Sequence, residues 1–243
     1  MSRKEKNSLK KQYVKLSELH DRSFIIDKNT AFSIKEEYKT LRTNILLSLP
    51  TEGCKIIGIT SAQPFEGKSV NCLNLAITFA QTGARVLLID CDLRIPSQAR
   101  LVGLKAAPGV SNVLVGMNNV GEAVQKTKYP GVDILLSGDI PPNPSELLGS
   151  ENMEKTLREL SQKYEFIFID LPPVNVVADA VIVSKYVSGL LLVVRSSVSR
   201  RDSIAEALKR LELARANIIG ILLTCVKSRK LLTTRYKMFG KYR

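Results

Sequence analysis

The chain has 243 residues, a length that suits one large α/β domain and is short for two. A hydrophobic content of 44% supports a buried core, and the longest apolar runs fall far short of the ~20 residues of a membrane-spanning helix. Four scattered cysteines without a C-x-x-C pair argue against a zinc site or a disulfide framework, and no signal peptide is apparent, so we expect a cytoplasmic protein.

The formal charge of +13 is concentrated at the two ends of the chain. Residues 1–16 carry a net charge of +5 and residues 227–243 a net charge of +7, which leaves about +1 for everything between them. A nearly neutral centre argues against a broad nucleic-acid-binding face, and no nucleic-acid partner is expected. Basic tails are attracted to anionic lipid by about 1 kcal/mol per residue near the surface, although solvated ends without a partner remain an alternative.

The first predicted helix follows a polar arm. Residues 1–30 show no sustained period and form the predicted arm, residues 31–226 the predicted folded domain, and residues 227–243 a basic tail that contains tyrosines. Within the domain, Ser33 followed by Glu36 matches a capping box, and Leu41 and Ile45 continue at helical spacing. The pattern predicts a helix over 33–49, ended by Pro50.

Residues 56–70, IIGITSAQPFEGKSV, predict a strand, a turn and the start of a helix. This is the context of a phosphate-binding loop, in which backbone N–H groups and the helix dipole converge on an anion. Lys68 can reach the terminal phosphates, and the hydroxyl of Ser69 can hold Mg²⁺. The predicted nucleotide contacts are Pro64, Phe65, Glu66, Gly67, Lys68, Ser69 and Val70.

Strands and helices alternate after this loop. Helical patterns occupy 69–81, 144–162 and 201–216, and apolar strands occupy 86–90, 132–136, 166–170, 189–194 and 218–223. The strands lack polar alternation, as expected where both faces of a sheet are covered. The predicted fold is therefore an α/β, P-loop NTPase-like domain with a mainly parallel central sheet and helices on both faces.

Two of the predicted strands end in carboxylates. The segment 86–92 ends in Asp90 and Asp92, and the strand 166–170 ends in Asp170. Because the carboxyl ends of parallel strands share one edge, these residues are expected beside the phosphate loop, where they can hold Mg²⁺ directly or through water. A helix N-cap is the alternative role for a single Asp in this position.

Taken together, AQPFEGKS, VLLIDCDLRIP and FIFIDLPP resemble the Walker A, A′ and B motifs of bacterial tyrosine kinases, P-loop kinases of the Mrp/MinD-like class. The resemblance covers roughly residues 33–227 and includes LLSGDIPPNPSELL at 135–148. The helix EEYKTLRTN resembles the oligomerisation motif E-x-x-R-x-x-R of that family, with Glu36, Lys39 and Arg42 at the motif positions.

The resemblance implies a protein-tyrosine kinase that uses ATP and Mg²⁺. Lys68 would stabilise the transferred phosphoryl group, Ser69, Asp92 and Asp170 would hold the metal, and Arg94 would neutralise charge nearby. Asp90 would orient or deprotonate the incoming tyrosine. The expected acceptors are Tyr236 and Tyr242 in the tail, phosphorylated in trans by another subunit.

The same resemblance implies a set of partners. We expect a homo-oligomer, a transmembrane activator with a cytosolic segment, a cognate tyrosine phosphatase, and protein substrates in capsular or exopolysaccharide synthesis and export. The chain would be recruited by its partner to the inner face of the cell membrane.

Three departures from the family pattern bear on activity, and two alternatives stay open. Phe65 replaces a glycine of the loop, Thr224 replaces an asparagine near the base, and the tyrosine cluster is reduced to Tyr236 and Tyr242. The alternatives are a nucleotide-driven switch of the MinD/ParA sort without tyrosine chemistry, and a degenerate family member that acts as a scaffold.

Overall fold

The strand that leads into the phosphate loop lies inside a mostly parallel sheet. The computed structural model describes residues 21–196 and 198–226, and within these ranges the sheet has seven strands: β1 (Lys55–Ser61), β2 (Val86–Asp90), β3 (Val124–Lys126), β4 (Val132–Leu135), β5 (Phe166–Asp170), β6 (Gly189–Arg195) and β7 (Ile218–Thr224). Their spatial order is β3-β4-β2-β5-β1-β6-β7. Only the pairing of β3 with β4 is antiparallel, so the carboxyl ends of the other strands share one edge.

Helices follow the strands along the chain. They are α1 (Phe32–Leu47), α2 (Lys68–Ala80), α3 (Gln98–Val102), α4 (Val110–Leu114), α5 (Val120–Ala123), α6 (Pro144–Leu148), α7 (Glu151–Ser161), α8 (Asp179–Val183) and α9 (Arg201–Leu213), with a 3₁₀ turn at Ser184–Tyr186. In the part of the chain that the structure describes, no helix has both the length and the apolar character needed to cross a bilayer.

Two apolar cores cover the two faces of the sheet, as predicted. Alternate residues of one strand belong to different cores: Leu87 and Ile89 of β2 pack with α7 and α9, whereas Leu88 packs with α1 and α2. Phe79 of α2 stacks edge-on against Phe168 of β5, with ring centroids 5.0 Å apart. This double burial explains why the strands lack polar alternation.

Two details of the predicted helices are wrong. The capping box is absent, because Ala31 occupies the N-cap position of α1, no side chain caps it, and Glu36 instead accepts from Nζ of Lys39 at 2.7 Å. The helix expected over 144–162 is broken into α6 and α7. The break occurs at Ser150, whose side chain accepts from the backbone N of Met153 and starts a new helix.

Candidate nucleotide site

The loop between β1 and α2 has the left-handed backbone that a phosphate cradle requires. Gly67, at the N-cap of α2, has φ of 92°, and Phe65 has φ of 64°. A side chain in this region costs about 1–2 kcal/mol, and Phe65 is 91% exposed, so burial does not offset the cost. The family glycine at this position is therefore explained by the backbone conformation, which Phe65 adopts under strain.

Hydrogen bonds from the ends of β6 and β7 hold the loop in this shape. Nη1 of Arg195 donates to the carbonyl of Phe65 at 3.3 Å, and Oγ1 of Thr224 donates to the carbonyl of Glu66 at 3.1 Å. The hydroxyl of Ser199 donates to the Glu66 carboxylate. Thr224 thus supports the loop backbone from the position where the family has asparagine.

Lys68 forms ion pairs with two carboxylates that were predicted to lie near it. Its Nζ lies 2.9 Å from Oδ2 of Asp92, 3.3 Å from Oδ1 of Asp170 and 3.3 Å from Oγ of Ser69. Burial alone would lower the pKa of Lys68, but the charges of Asp170 and Asp92 outweigh it and raise that pKa above its usual value. Lys68 is therefore a permanent cation at the mouth of the loop.

Asp90 lies beside Asp170 in the register of β2 with β5 and is fully buried. Its carboxylate accepts from the backbone N of Asp92 at 3.2 Å and of Gln98 at 3.1 Å. Burial, and then the charge of Asp170, raise the pKa of Asp90 to about 8. This carboxyl is thus mostly protonated at neutral pH when no ligand is bound.

Gln98 is a site residue that the sequence analysis missed. It is fully buried, and its Nε2 donates to Oδ2 of Asp170 at 2.8 Å and to the carbonyl of Ser69 at 3.0 Å. The side chain therefore joins the end of β5 to the first turn of α2. Its place eight residues after Asp90, just beyond the motif VLLIDCDLRIP, was the available signal.

Arg94 lies at the border of this group and pairs with a residue that was not predicted. Its Nε donates to Oδ2 of Asp179 at 2.9 Å, and its Nη2 donates to Oγ of Ser145 at 2.9 Å. Ser145 in turn donates to Oδ1 of Asp179 at 2.6 Å. Arg94 therefore ties the segment after β2 to α6 and α8.

Pro64 and Val70 lie in the loop and in the first turn of α2, whereas the predicted oligomerisation residues lie away from the loop and the predicted acceptor tyrosines lie outside the described residues. Arg42 donates from Nη1 to the carbonyl of Thr78 at 2.7 Å, so it docks α1 on α2, whereas Glu36 and Lys39 form a surface pair. Tyr236 and Tyr242, like the basic residues of both tails, lie outside the described ranges.

The residues at the loop fit a nucleotide with Mg²⁺. The hydroxyl of Ser69 and the carboxylates of Asp92 and Asp170 are oxygen donors, which Mg²⁺ prefers, and Lys68 offers a cation for phosphate. Residues 21–196 and 198–226 contain no group of three or more His, Cys, Asp or Glu placed to hold a metal alone. Such a sparse set suits Mg²⁺, which keeps several of its waters.

Comparisons with known proteins agree with this geometry. A family model described as an AAA domain matches residues 54–215. The tyrosine-protein kinase YwqD of Bacillus subtilis is 38% identical over 80% of this chain and 82% of its own length.

Solved structures extend the comparison. The kinase domain of the Escherichia coli tyrosine kinase ETK is 31% identical, with a TM-score of 0.78 over 84% of this chain and 82% of that one. The cell division ATPase MinD of Pyrococcus furiosus is 26% identical, with a TM-score of 0.59 over 70% and 71%. The identity and coverage shared with YwqD and ETK, on a P-loop fold whose loop and acidic strand ends converge as described, show that the chain belongs to the bacterial tyrosine kinases.

Proposed function

We propose that the chain transfers the γ-phosphoryl group of ATP to tyrosine hydroxyls of proteins, including its own tail. The observation that carries the proposal is the position of Lys68, held between Asp92 and Asp170 at the mouth of the phosphate loop. The similarity to YwqD and ETK supports the same activity. ATP supplies the phosphoryl group when bound, and Mg²⁺ neutralises its charge.

The chain's own residues would contact the phosphates, hold the metal and stabilise the transferred group. With ATP and Mg²⁺ bound, Lys68 would contact the phosphates, and Ser69, Asp92 and Asp170 would hold the metal. These preorganised charges stabilise the developing charge of the transferred group, which is the main requirement of phosphoryl transfer.

Asp90 is the proposed group that orients the tyrosine hydroxyl or accepts its proton. A base whose pKa lies near neutral pH is suited to this step, and the pKa of Asp90 is raised to about 8. The residue is fully buried and mostly protonated without ligand, so the role requires its carboxyl to become accessible and to lose its proton when substrates and Mg²⁺ bind.

The proposed acceptors are Tyr236 and Tyr242, six residues apart in a tail with seven basic residues and no acidic residue. Each phosphate adds about −1.5 to −2 charge at pH 7, so two offset roughly half of the positive charge of the tail. Phosphorylation would then weaken attraction of the tail to anionic lipid.

The proposed setting is capsular or exopolysaccharide synthesis at the inner face of the cell membrane. A transmembrane activator would recruit the chain through a cytosolic segment, a tyrosine phosphatase would reverse the modification, and subunits would associate through α1. Light scattering on a variant with Glu36, Lys39 and Arg42 changed to alanine tests the association. An unchanged mass from an oligomeric starting protein would count against it.

Mass spectrometry of the protein after incubation with ATP and Mg²⁺ tests the activity, with and without a cytosolic peptide of a membrane partner. Phosphate is expected on Tyr236 and Tyr242 and is expected to disappear from each in the matching Tyr→Phe variant. ATP hydrolysis without phosphotyrosine would instead favour a nucleotide-driven switch, the second candidate, which the similarity to MinD supports. Nucleotide binding without turnover would favour a scaffold.

A further inference from the structure

A chain of hydrogen bonds connects α1 to the phosphate loop through Tyr38. The hydroxyl of Tyr38 donates to Oδ1 of Asn71 at 2.7 Å. Nδ2 of the same Asn71 donates to the carbonyl of Gly67 at 2.8 Å. Asn71 is 8% exposed, so water competes little for these bonds. Asn71 therefore contacts the last glycine of the loop directly, and Tyr38 is connected to it through Asn71.

The direction of each bond in this chain is determined by chemistry. The carbonyl of Gly67 can only accept, so the amide nitrogen of Asn71 must face it. Oδ1 of Asn71 then faces Tyr38, which must donate its hydroxyl proton. Nδ2 of Asn74 donates to the hydroxyl oxygen of Tyr38 at 3.0 Å, so that oxygen is also used as an acceptor. A phenylalanine at position 38 would remove the donor that satisfies Oδ1 of Asn71.

The bond to Gly67 also sets the direction of a loop N–H group. The carbonyl of Gly67 and the N–H of Lys68 belong to one planar trans peptide and point in opposite directions. Asn71 holds this carbonyl twice, with its side chain and with its backbone N at 3.1 Å. The N–H of Lys68 is thereby directed away from the helix, toward the position where the loop receives an anion.

We propose that Tyr38 is a positioning residue for nucleotide binding: through Asn71 it fixes the peptide between Gly67 and Lys68, and it couples α1 to the phosphate loop. The proposal rests on the proposed function only in that the loop binds ATP. Because α1 is also the helix of the expected subunit contact, a displacement of this helix would disturb the hydrogen bonds that position the loop.

The first test compares two Tyr→Phe variants of the full chain. Tyr38→Phe is expected to weaken binding of a fluorescent ATP analogue with Mg²⁺ by about 3- to 10-fold, the loss of one buried hydrogen bond. Tyr164→Phe is the matched control, because its hydroxyl donates to Oδ2 of Asp133 at 2.8 Å beside the amino end of β5. Its Kd is expected to stay within twofold of that of the unsubstituted chain.

The second test asks whether Tyr38 acts through Asn71. Asn71→Ala is expected to weaken binding at least as much as Tyr38→Phe, and the double variant is expected to bind no more weakly than Asn71→Ala alone. Thermal unfolding of all variants distinguishes weaker nucleotide binding from a loss of stability. A loss of stability alone would lower the Tm of the Tyr→Phe variants without changing their Kd.

The proposal is overturned if Tyr38→Phe binds the analogue within twofold of the unsubstituted chain, or if the two substitutions are additive. An unsubstituted chain that binds no nucleotide would refute both this proposal and the proposed function. Normal binding without phosphotyrosine would refute the kinase proposal alone, and the Kd comparison for Tyr38 would still decide the inference.

Discussion

Ion pairs lie at both ends of the central strands, but they differ in burial. At the carboxyl ends, the side chain of Lys68 is 11% exposed and that of its partner Asp170 is fully buried. At the amino ends, Arg85 and Glu165 pair at 3.6 Å with side chains 66% and 51% exposed. The same types of residue therefore occupy very different environments in one sheet.

Burial determines how much each ion pair contributes to stability. An exposed pair contributes about 0–1 kcal/mol because water screens it. Removing one partner of a buried pair leaves an uncompensated charge and costs far more. Among the ion pairs of the described residues, those with both side chains largely buried join Lys68 to Asp92 and to Asp170, so the electrostatic cost is concentrated where a ligand would relieve it. Three substitutions test this contrast, in order of expected effect, and a fourth tests the strain in the phosphate loop.

Lys68→Met is expected to reduce tyrosine phosphorylation by at least about 10²–10³-fold, because one preorganised charge is lost from the transition state. The initial rate of phosphotyrosine formation measures the effect, and circular dichroism checks the fold. Lys163→Met is the control from the amino end, where Nζ of Lys163 pairs with Glu159 at 2.8 Å on the surface. Near-normal activity in Lys68→Met would remove the loop from the mechanism.

Asp90→Asn is expected to make stability less dependent on pH. The folded pKa of about 8 lies above the unfolded value of about 3.9, so Asp90 contributes its stability below pH 4 and loses it as pH rises to 8. The variant should therefore gain at least about 2 kcal/mol relative to the unsubstituted protein across this window.

Denaturant unfolding at pH 4, 6 and 8 without nucleotide measures this difference. If the free-energy difference between the two proteins stayed constant with pH, Asp90 would not titrate as its burial predicts.

Asp179→Asn is expected to lower the free energy of unfolding by about 1–3 kcal/mol, since it weakens bonds that Arg94 and Ser145 make to a buried carboxylate. Glu165→Gln, in the exposed pair at the amino ends, is expected to cost no more than about 1 kcal/mol. Urea unfolding of both variants compares them directly. Equal costs would show that burial does not separate the two edges.

Phe65→Gly is expected to raise the free energy of unfolding by up to about 1 kcal/mol. Relief of the left-handed strain gains about 1–2 kcal/mol, and the entropy of the added glycine offsets roughly half of it. Ile34→Gly, at an exposed position further inside α1, should have the opposite sign, because glycine is unfavourable in a helix. A loss of stability in Phe65→Gly would mean that the exposed ring makes stabilising contacts.

The sheet and the main part of the site were predictable from sequence for one physical reason. Strands buried on both faces read as unbroken apolar runs, so VLLID and FIFID were placed at residues 86–90 and 166–170, as observed. Because the carboxyl ends of parallel strands lie at the same edge of the sheet, Asp90 and Asp170 were expected to lie close together. They are register partners in the pairing of β2 with β5.

The rest depended on contacts between distant segments. Helices of four or five residues such as α3 and α5 are too short to show a period, and the three residues of β3 carry no strand pattern. Gln98 and Asp179 gain their importance from partners that only the tertiary fold supplies. The predicted capping box is absent because the N-cap of α1 is Ala31, two residues before Ser33.

The strand order determines when the phosphate loop can form during translation. β1 is among the first elements to be synthesised, yet both of its neighbours in the sheet, β5 and β6, begin only at Phe166 and Gly189. A nascent chain that ends before Phe166 can pair β2 with β4 and β3 with β4, but it leaves β1 with no strand beside it. The phosphate loop therefore stays incomplete until late in translation, so truncated chains should lack ATP binding even where their own segments have folded.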